Sequence, residues 1–191
     1  MTNHIDLGTV LRQTLSASLY SNLVTRPTGR AVRTQIERLL ATSRAPGEGG
    51  AGGGGRRLTV IDFSHVSMID FSCADEIIAK LLLSAQLDSD VYFLFRGMND
   101  GHWHSIETVL ERHGLALVVE DERGVELVGV LDDRERRAWQ AVKRRGRAAA
   151  PVLAEDLGEP VAVVRGDLDR LCRRHLLMRH DDFYMPVSEI S

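Results

Sequence analysis

Residues 57–83, RLTVIDFSHVSMIDFSCADEIIAKLLL, decide the fold of the first part of this chain. The stretch opens with an almost continuous apolar and β-branched run over residues 58–63, which predicts a strand covered on both faces. From Ala74 onwards the apolar residues recur with helical spacing, which predicts an amphipathic helix. The stretch therefore indicates a buried strand, a short polar loop and a helix that packs on the same sheet.

The loop before this helix carries Asp70 and Ser72 on either side of Phe71. Ser72 at the N-cap, with Asp75 three residues later, predicts a carboxylate variant of the capping box. An N-cap serine needs no further role, because its hydroxyl satisfies backbone amides that otherwise have no partner. Asp70 is harder to explain as a core residue, and we interpret it as a cap, an interaction residue or a ligand of a kinase-bound metal.

This stretch resembles the STAS domain, the fold of bacterial anti-sigma-factor antagonists, where a strand of the type VLDLSxVxxID runs into Ser-Ser-Gly at a helix start. The resemblance implies that Ser72 is a phosphoacceptor for a partner kinase that is also an anti-sigma factor, and that Asp70, Phe71 and Asp75 are candidates for binding that partner. Phe71 replaces the first serine of the family and Cys73 its glycine, and residues 74–77, ADEI, look like those of a divergent STAS-like branch. The matching residues are Val60, Ile61, Asp62, Phe63, Ser64, Val66, Ile69 and Asp70, followed by Phe71, Ser72 and Cys73.

The charges around Ser72 act in two directions on a phosphate at this position. A phosphate there would meet the positive end of the helix dipole, which is favourable. Asp70, Asp75 and Glu76 are close in sequence, and their like charge opposes an added dianion. Both hypotheses, phosphoacceptor and plain cap, therefore stay open on the sequence.

The composition of the 191-residue chain is that of an ordinary globular protein, with 43% hydrophobic and 27% charged residues and a net charge of −3. The two cysteines, Cys73 and Cys172, are far apart in sequence, so neither a disulfide nor a metal site from them is expected, and a reducing cytoplasm is the natural compartment. The N-terminal segment lacks the pattern of a signal peptide, and no apolar run approaches the length of a membrane span. We expect a cytoplasmic protein that does not enter a membrane.

The rest of residues 1–131 predicts an α/β domain with a STAS-like mixed sheet. The first thirty residues fit both a helical and an alternating pattern, and Pro27 marks the first turn of a helix. Residues 46–55, PGEGGAGGGG, predict a flexible surface loop. Residues 91–95, VYFLF, predict a second core strand. A helix with Gly114 as its C-terminal stop and two short strands follow. Alternation of strands and helices of this length is typical of an α/β sheet.

Residues 132–191 resemble the winged helix-turn-helix domain of bacterial transcription regulators. The resemblance rests on residues 152–187, VLAEDLGEPVAVVRGDLDRLCRRHLLMRHDDFYMPV, with a Leu-Ala-x-x-Leu-Gly turn, a third helix and a hairpin. It implies duplex DNA as a partner, with Arg165, Arg170 and Arg174 of the third helix as candidate contacts. Aspartates on that helix and at the hairpin tip oppose phosphate, so useful affinity is expected only from a homodimer.

The sequence shows no constellation of an enzyme. His102 and His104 lack further ligands at metal spacing and are interpreted as surface residues, and His65 near Ser72 has no oxyanion site beside it. We therefore expect neither a metal nor a cofactor. The expected function is that of a non-enzymatic cytoplasmic signalling adaptor that couples binding of a protein partner, with serine phosphorylation, to transcriptional regulation. The alternative is a protein-interaction scaffold whose winged helix does not bind DNA.

Overall fold

The computed structural model describes residues 2–15, 21–42, 56–88 and 90–188. Its N-terminal part alternates strands and helices, which confirms the expectation of a mixed α/β fold. The central helix comprises α3 (Phe71–Ala74), a π-helical turn (Asp75–Ala79) and α4 (Lys80–Ala85). The other elements of this part are β1 (Thr2–Asp6), α1 (Leu7–Leu15), β2 (Asn22–Leu23), α2 (Arg26–Thr42), β3 (Arg57–Asp62), β4 (Met68–Ile69), β5 (Val91–Arg96), α5 (Asp100–His113), β6 (Ala116–Asp121) and β7 (Gly124–Gly129).

Five of these strands form one sheet in the order β1-β3-β5-β6-β7, and β2 pairs with β4 in a separate parallel pair. The first four strands are parallel, whereas β7 is antiparallel to β6. When parallel strands lie side by side in chain order, right-handed crossovers place all the connecting helices on the same face of the sheet. Accordingly α1, α2, the central helix and α5 pack on one face of the sheet, against the aligned row of Ile5, Ile61, Phe95 and Val119.

The C-terminal part covers the opposite face of this sheet. Its second buried cluster joins strand residues such as Val60, Leu94 and Val118 to Trp139 and Leu176 from beyond residue 131. The core of the C-terminal part is therefore continuous with the sheet. Its elements are α6 (Asp133–Arg145), β8 (Ala148–Ala149), α7 (Ala150–Leu157), α8 (Val161–Arg173), β9 (Leu177–His180) and β10 (Phe183–Pro186), and the three strands form an antiparallel sheet in the order β8-β10-β9.

Several local predictions are confirmed by these elements. The strand predicted at residues 58–63 is buried on both faces, and Pro27 lies in the first turn of α2. The ambiguous segment after β1 is helical from Leu7, and Gly114 ends α5 in the left-handed conformation with φ 63°. The glycine-rich segment 46–55 lies outside the described residues. Across the described ranges, no helix combines the length and apolar character needed to cross a membrane.

Candidate functional site

The first candidate site is the start of the central helix, where Asp70 is the N-cap residue. Asp70 Oδ1 accepts hydrogen bonds from the backbone N–H of Cys73 at 2.7 Å and from Ser72 Oγ at 2.9 Å. The backbone N–H of Asp70 donates to the carbonyl of Leu23 at 2.8 Å, in line with the pairing of β4 with β2. The neighbouring strand pair therefore fixes where the helix begins.

The prediction that Ser72 is the N-cap is wrong. The helix begins at Phe71, so Ser72 lies inside its first turn and Asp70 does the capping. Asparagine, aspartate and serine are equally good N-cap residues, and the pairing of β4 selects the aspartate. Of the three roles considered for Asp70, the structure bears out the cap. The half-buried Ser72 hydroxyl donates to this cap.

Cys73, which stands where the STAS pattern has glycine, lies at the closest approach between the central helix and α2. The close approach is made possible by Gly29 of α2, where an added Cβ would lie 2.9 Å from the Cα of Cys73. The Cys73 thiol donates to the carbonyl of Thr25 at 3.0 Å and accepts from the Thr25 N–H at 3.3 Å. Burial and the neighbouring Asp70 raise the pKa of Cys73 to about 12. Its thiol is therefore protonated at neutral pH and serves packing.

The acidic residues after Ser72 are neutralised by ion pairs. Asp75 contacts His113 at 2.8 Å and Arg26 at 3.0 Å. Burial alone would raise the pKa of Asp75, but the hydrogen bonds from His113 and Arg26 outweigh it and lower the pKa. The fully buried Glu76 contacts Lys80 at 2.7 Å and Arg26 at 2.9 Å, and these bonds likewise lower its pKa against the effect of burial. Of the three acids that oppose a phosphate on Ser72, Asp70 is therefore the one with no ion pair among the described residues.

Phe71 and Met68 give the start of the central helix a partly apolar surface. Phe71 is half-buried, and the guanidinium carbon of Arg112 lies 5.5 Å from the centroid of its ring. The Met68 side chain is 45% exposed. Of the predicted partner-binding residues, Asp70 and Phe71 lie at this surface, whereas Asp75 is turned into the ion pairs with α5 and α2. The surface offers a partner an aromatic ring, a thioether and a hydroxyl beside an acid.

The second candidate site is the outer surface of α8, where two of the three predicted DNA contacts are engaged in ion pairs within the protein. Arg174 donates to the buried Glu135 at 2.8 Å and to the carbonyl of Val130 at 2.5 Å. Arg170 is hydrogen-bonded to the buried Asp167. Arg174 therefore ties α8 to α6, and Arg170, which also lies 3.7 Å from Glu135, is engaged in ion pairs although its side chain is 42% exposed.

Arg165 is the predicted contact that remains available. Its side chain is exposed, and none of the ion pairs found among the described residues includes it. It lines a groove of about 250 Å³ together with Pro151 of α7 and with Arg179 and Tyr184 of the hairpin. The groove has Arg165 on its α8 side and Arg179 on its hairpin side, and Asp182 at the hairpin tip also lines it.

Two more cations lie near this groove: Arg179 on β9, which the sequence analysis missed, and Arg147 just before β8. Arg179 lies 3.5 Å from Asp169, which also accepts a hydrogen bond from Tyr184 at 2.9 Å, so this aspartate is neutralised. Arg147 lies 4.2 Å from the centroid of the exposed Phe183 ring. The resemblance to a wing was the signal that could have identified Arg179, since wing residues contact the nucleic acid in this motif.

His102 is also placed differently from the prediction. It is fully buried in the first turn of α5, where its Nδ1 accepts from the N–H of Asn99 at 3.1 Å and its Nε2 faces the carbonyl of Val66 at 2.9 Å. These bonds require a neutral ring with the proton on Nε2, and burial lowers the pKa of His102. Among the described residues, no three His, Cys, Asp or Glu side chains are arranged to hold a metal ion.

Comparisons of the chain with protein-family models, with curated proteins and with solved structures find no significant match.

Proposed function

We propose that this protein is a non-enzymatic cytoplasmic signalling adaptor, with a STAS-like α/β domain over residues 1–131 and a winged helix over residues 132–191. The observation that carries the proposal is that the two candidate sites lie on opposite faces of one sheet. Its helical face carries the start of the central helix with Ser72, and its other face carries the unit with Arg165. The proposed partner-binding surface and the proposed DNA-binding surface thus pack on the same strands.

The STAS-like assignment is supported by the sheet and by the surroundings of Ser72. Parallel strands with all crossover helices on one face, and a loop that leads from a buried strand to a capped helix, fit the resemblance in sequence. The partner we propose is a protein, of the kinase or anti-sigma type, that contacts Phe71 and Asp70 and phosphorylates Ser72. Neutralisation of Asp75 and Glu76 by neighbouring cations removes part of the repulsion that a phosphate would meet.

The winged-helix assignment is supported by the order of the C-terminal elements. Three helices, a short strand before α7 and a final hairpin are the parts of this motif, and α8 would be the helix that enters the major groove. Arg165 on α8 and Arg179 on β9 face one groove, as required of a helix and a wing that contact one duplex. Asp167 and Asp169, whose charges would repel phosphate, accept hydrogen bonds from Arg134 and Tyr184 within the protein.

The test is binding to duplex DNA, measured with genomic fragments by gel shift at several salt concentrations. We expect association that weakens steeply with salt, and Arg165→Ala should weaken it by about 1–3 kcal/mol. Arg136→Ala is the matched control, because Arg136 is an exposed arginine of α6 outside the groove. An absence of salt-sensitive binding at low salt, or equal losses from both variants, would contradict the DNA-binding proposal.

A scaffold that does not bind DNA is the second candidate. It is favoured by the internal ion pairs of Arg170 and Arg174, and by Asp182 at the hairpin tip, whose side chain is 93% exposed. The same gel shift separates the two candidates, since the scaffold predicts no association with any duplex while capture of a protein partner through Phe71 and Ser72 persists.

A further inference from the structure

The first two turns of α8 carry an exposed surface that has few hydrogen-bonding groups. Val161 is 40% exposed, and Ala162 beside it is also exposed. Arg165 and Gly166 follow one helical turn later and therefore lie on the same side of the helix. These four residues, the outer face of α8, hold a single polar side chain, that of Arg165. A partner that binds here is recognised mainly through apolar contact.

Gly166 indicates that this partner approaches the helix closely. Glycine inside a helix is less favourable than alanine. A Cβ added at Gly166 would have open space around it, with no packing atom of the described residues within 4 Å. Packing within the described part of the chain therefore does not require glycine at this position. The missing side chain lets the backbone of α8 come close to a surface that lies against the outer face.

The charges beside the outer face suit the duplex DNA of the proposed function, on which this inference rests. Arg165 and Arg179 lie on two sides of one groove, where they can contact phosphates or base edges. Asp169, the next acid along this side of α8, accepts a hydrogen bond from Tyr184 at 2.9 Å and lies 3.5 Å from Arg179. Asp182 also lines the groove, at the hairpin tip, so the cations are concentrated near α8.

The outer face matches one feature of the DNA major groove. Thymine presents an apolar group there, its C5 methyl, whereas the other base edges present hydrogen-bond donors and acceptors. The side chains of Val161 and Ala162 can bury a methyl group but offer nothing to a donor or an acceptor. An arginine typically pairs with the O6 and N7 atoms of guanine. We propose that Val161 and Ala162 select thymine through its methyl group and that Arg165 selects a nearby guanine.

The spacing of these residues sets the spacing of the bases. Val161 and Arg165 are four residues apart, which is about 6 Å along the helix axis. Stacked base pairs are about 3.4 Å apart, so this distance corresponds to about two base steps where the helix lies along the major groove. The preferred duplex therefore has a thymine about two base pairs from a guanine.

The test compares duplexes that differ only in this methyl group. Sites are selected by gel shift of the full chain with a library of random-sequence duplexes. The selected duplex is then compared, at one salt concentration, with the same duplex in which uracil replaces every thymine. Uracil keeps the base pairing of thymine and lacks its methyl group. We expect thymine near guanine in the selected sites, and weaker binding of the uracil duplex by about fourfold for each methyl group that the protein buries.

Variants assign this preference to side chains. Val161→Ser and Ala162→Ser should each reduce the preference for thymine, and together they should bring the affinities for the two duplexes within about twofold of each other. The matched control Val130→Ser changes a valine of nearly equal exposure, 41%, that lies before α6, and it should keep the preference. Arg165→Ala should weaken binding to both duplexes and keep the preference as well. Circular dichroism checks that each variant folds, and the comparison of the two duplexes with the wild type needs no variant.

The outcomes separate this inference from the function on which it rests. Equal binding of the thymine and uracil duplexes by the wild type would overturn methyl recognition and leave DNA binding intact. A loss of preference in Val130→Ser as large as that in Val161→Ser would overturn the assignment to the outer face. A selection that recovers no bound duplex would overturn the proposed DNA binding, and methyl recognition with it.

Discussion

Replacement of Asp70 by alanine should destabilise the protein more than replacement of Ser72, because Asp70 is the cap. Asp70→Ala removes the acceptor for the Cys73 N–H at 2.7 Å and leaves that amide in a buried position. Loss of an N-cap side chain costs about 0.5–2 kcal/mol, and the buried amide places this case in the upper half of that range. We therefore expect a loss of about 1–2 kcal/mol in the free energy of unfolding.

Ser72→Ala should cost much less. It removes one half-buried hydrogen bond to Asp70, worth about 0.5–1.5 kcal/mol. Alanine at the same helical position recovers about 0.5 kcal/mol through its higher helix propensity. The net loss is therefore below about 1 kcal/mol, and Asp70→Asn, which keeps a capping side chain, should be similarly mild.

Urea unfolding followed by circular dichroism measures these free energies for the wild type, the single variants and Asp70→Ala/Ser72→Ala. The double variant should be no less stable than Asp70→Ala, because the Ser72 bond needs the aspartate and disappears with it. A loss for Ser72→Ala as large as that for Asp70→Ala, or strictly additive losses, would refute the assignment of Asp70 as the cap.

Three further predictions concern the switch, the shared core and a buried histidine. Ser72→Asp should reduce capture of the proposed protein partner and leave the fold intact. The control Ser84→Asp, at the exposed far end of the central helix, should leave capture unchanged. Equal capture by both variants would leave Ser72 without a switching role. Trp139→Ala should lower the free energy of unfolding by about 3–5 kcal/mol, because Trp139 is fully buried in the cluster shared with the sheet. The whole chain should then melt at a lower temperature in a single transition. Two separate transitions would argue for independent cores. Burial lowers the pKa of His102 in the folded state. As pH falls below about 6.5, the unfolded chain therefore takes up more protons at this residue than the folded chain, so stability should drop from pH 7.5 to 5.5. Urea unfolding at both pH values should show a smaller drop for His102→Gln and an unchanged drop for the exposed His104→Gln, and identical drops would contradict this cause.

Local patterns in the sequence were sufficient for most of the helices and strands. The apolar run at residues 58–63 correctly predicts a strand covered on both faces, because Val60 and Ile61 are both fully buried. The glycine at 114 and the proline at 27 mark helix ends for reasons confined to their own backbone. The apolar run does not reveal which segment covers the second face of the strand, since any apolar surface of the right size can bury that face.

The errors at the candidate sites come from contacts between residues that are distant in sequence. Asp70 and Ser72 are equally good caps by propensity, and the choice depends on the pairing of β4 with β2, more than forty residues earlier. Arg174 looks like a free cation on a helix, but its partner Glu135 is thirty-nine positions away in the sequence. Side chains that find charge partners across helices therefore escape any analysis based on the helix alone.

The junction between the two faces of the sheet limits how a signal can pass between them. Arg174 bonds to the carbonyl of Val130, and the His175 Nδ1 lies 2.6 Å from the carbonyl of Val91 on β5. His175 adopts φ 58°, a conformation that non-glycine residues rarely hold unless their surroundings impose it. With α8 tied to the sheet in this way, the partner proposed to bind at Ser72 cannot act by swinging the C-terminal unit on a flexible linker. Under the proposed function this partner has to favour a second packing of the strands that it binds more tightly, or block the proposed DNA-binding surface directly. Hydrogen exchange of the buried strand amides of β5 and β6 with and without the proposed partner distinguishes these routes, because only the first changes protection inside the sheet.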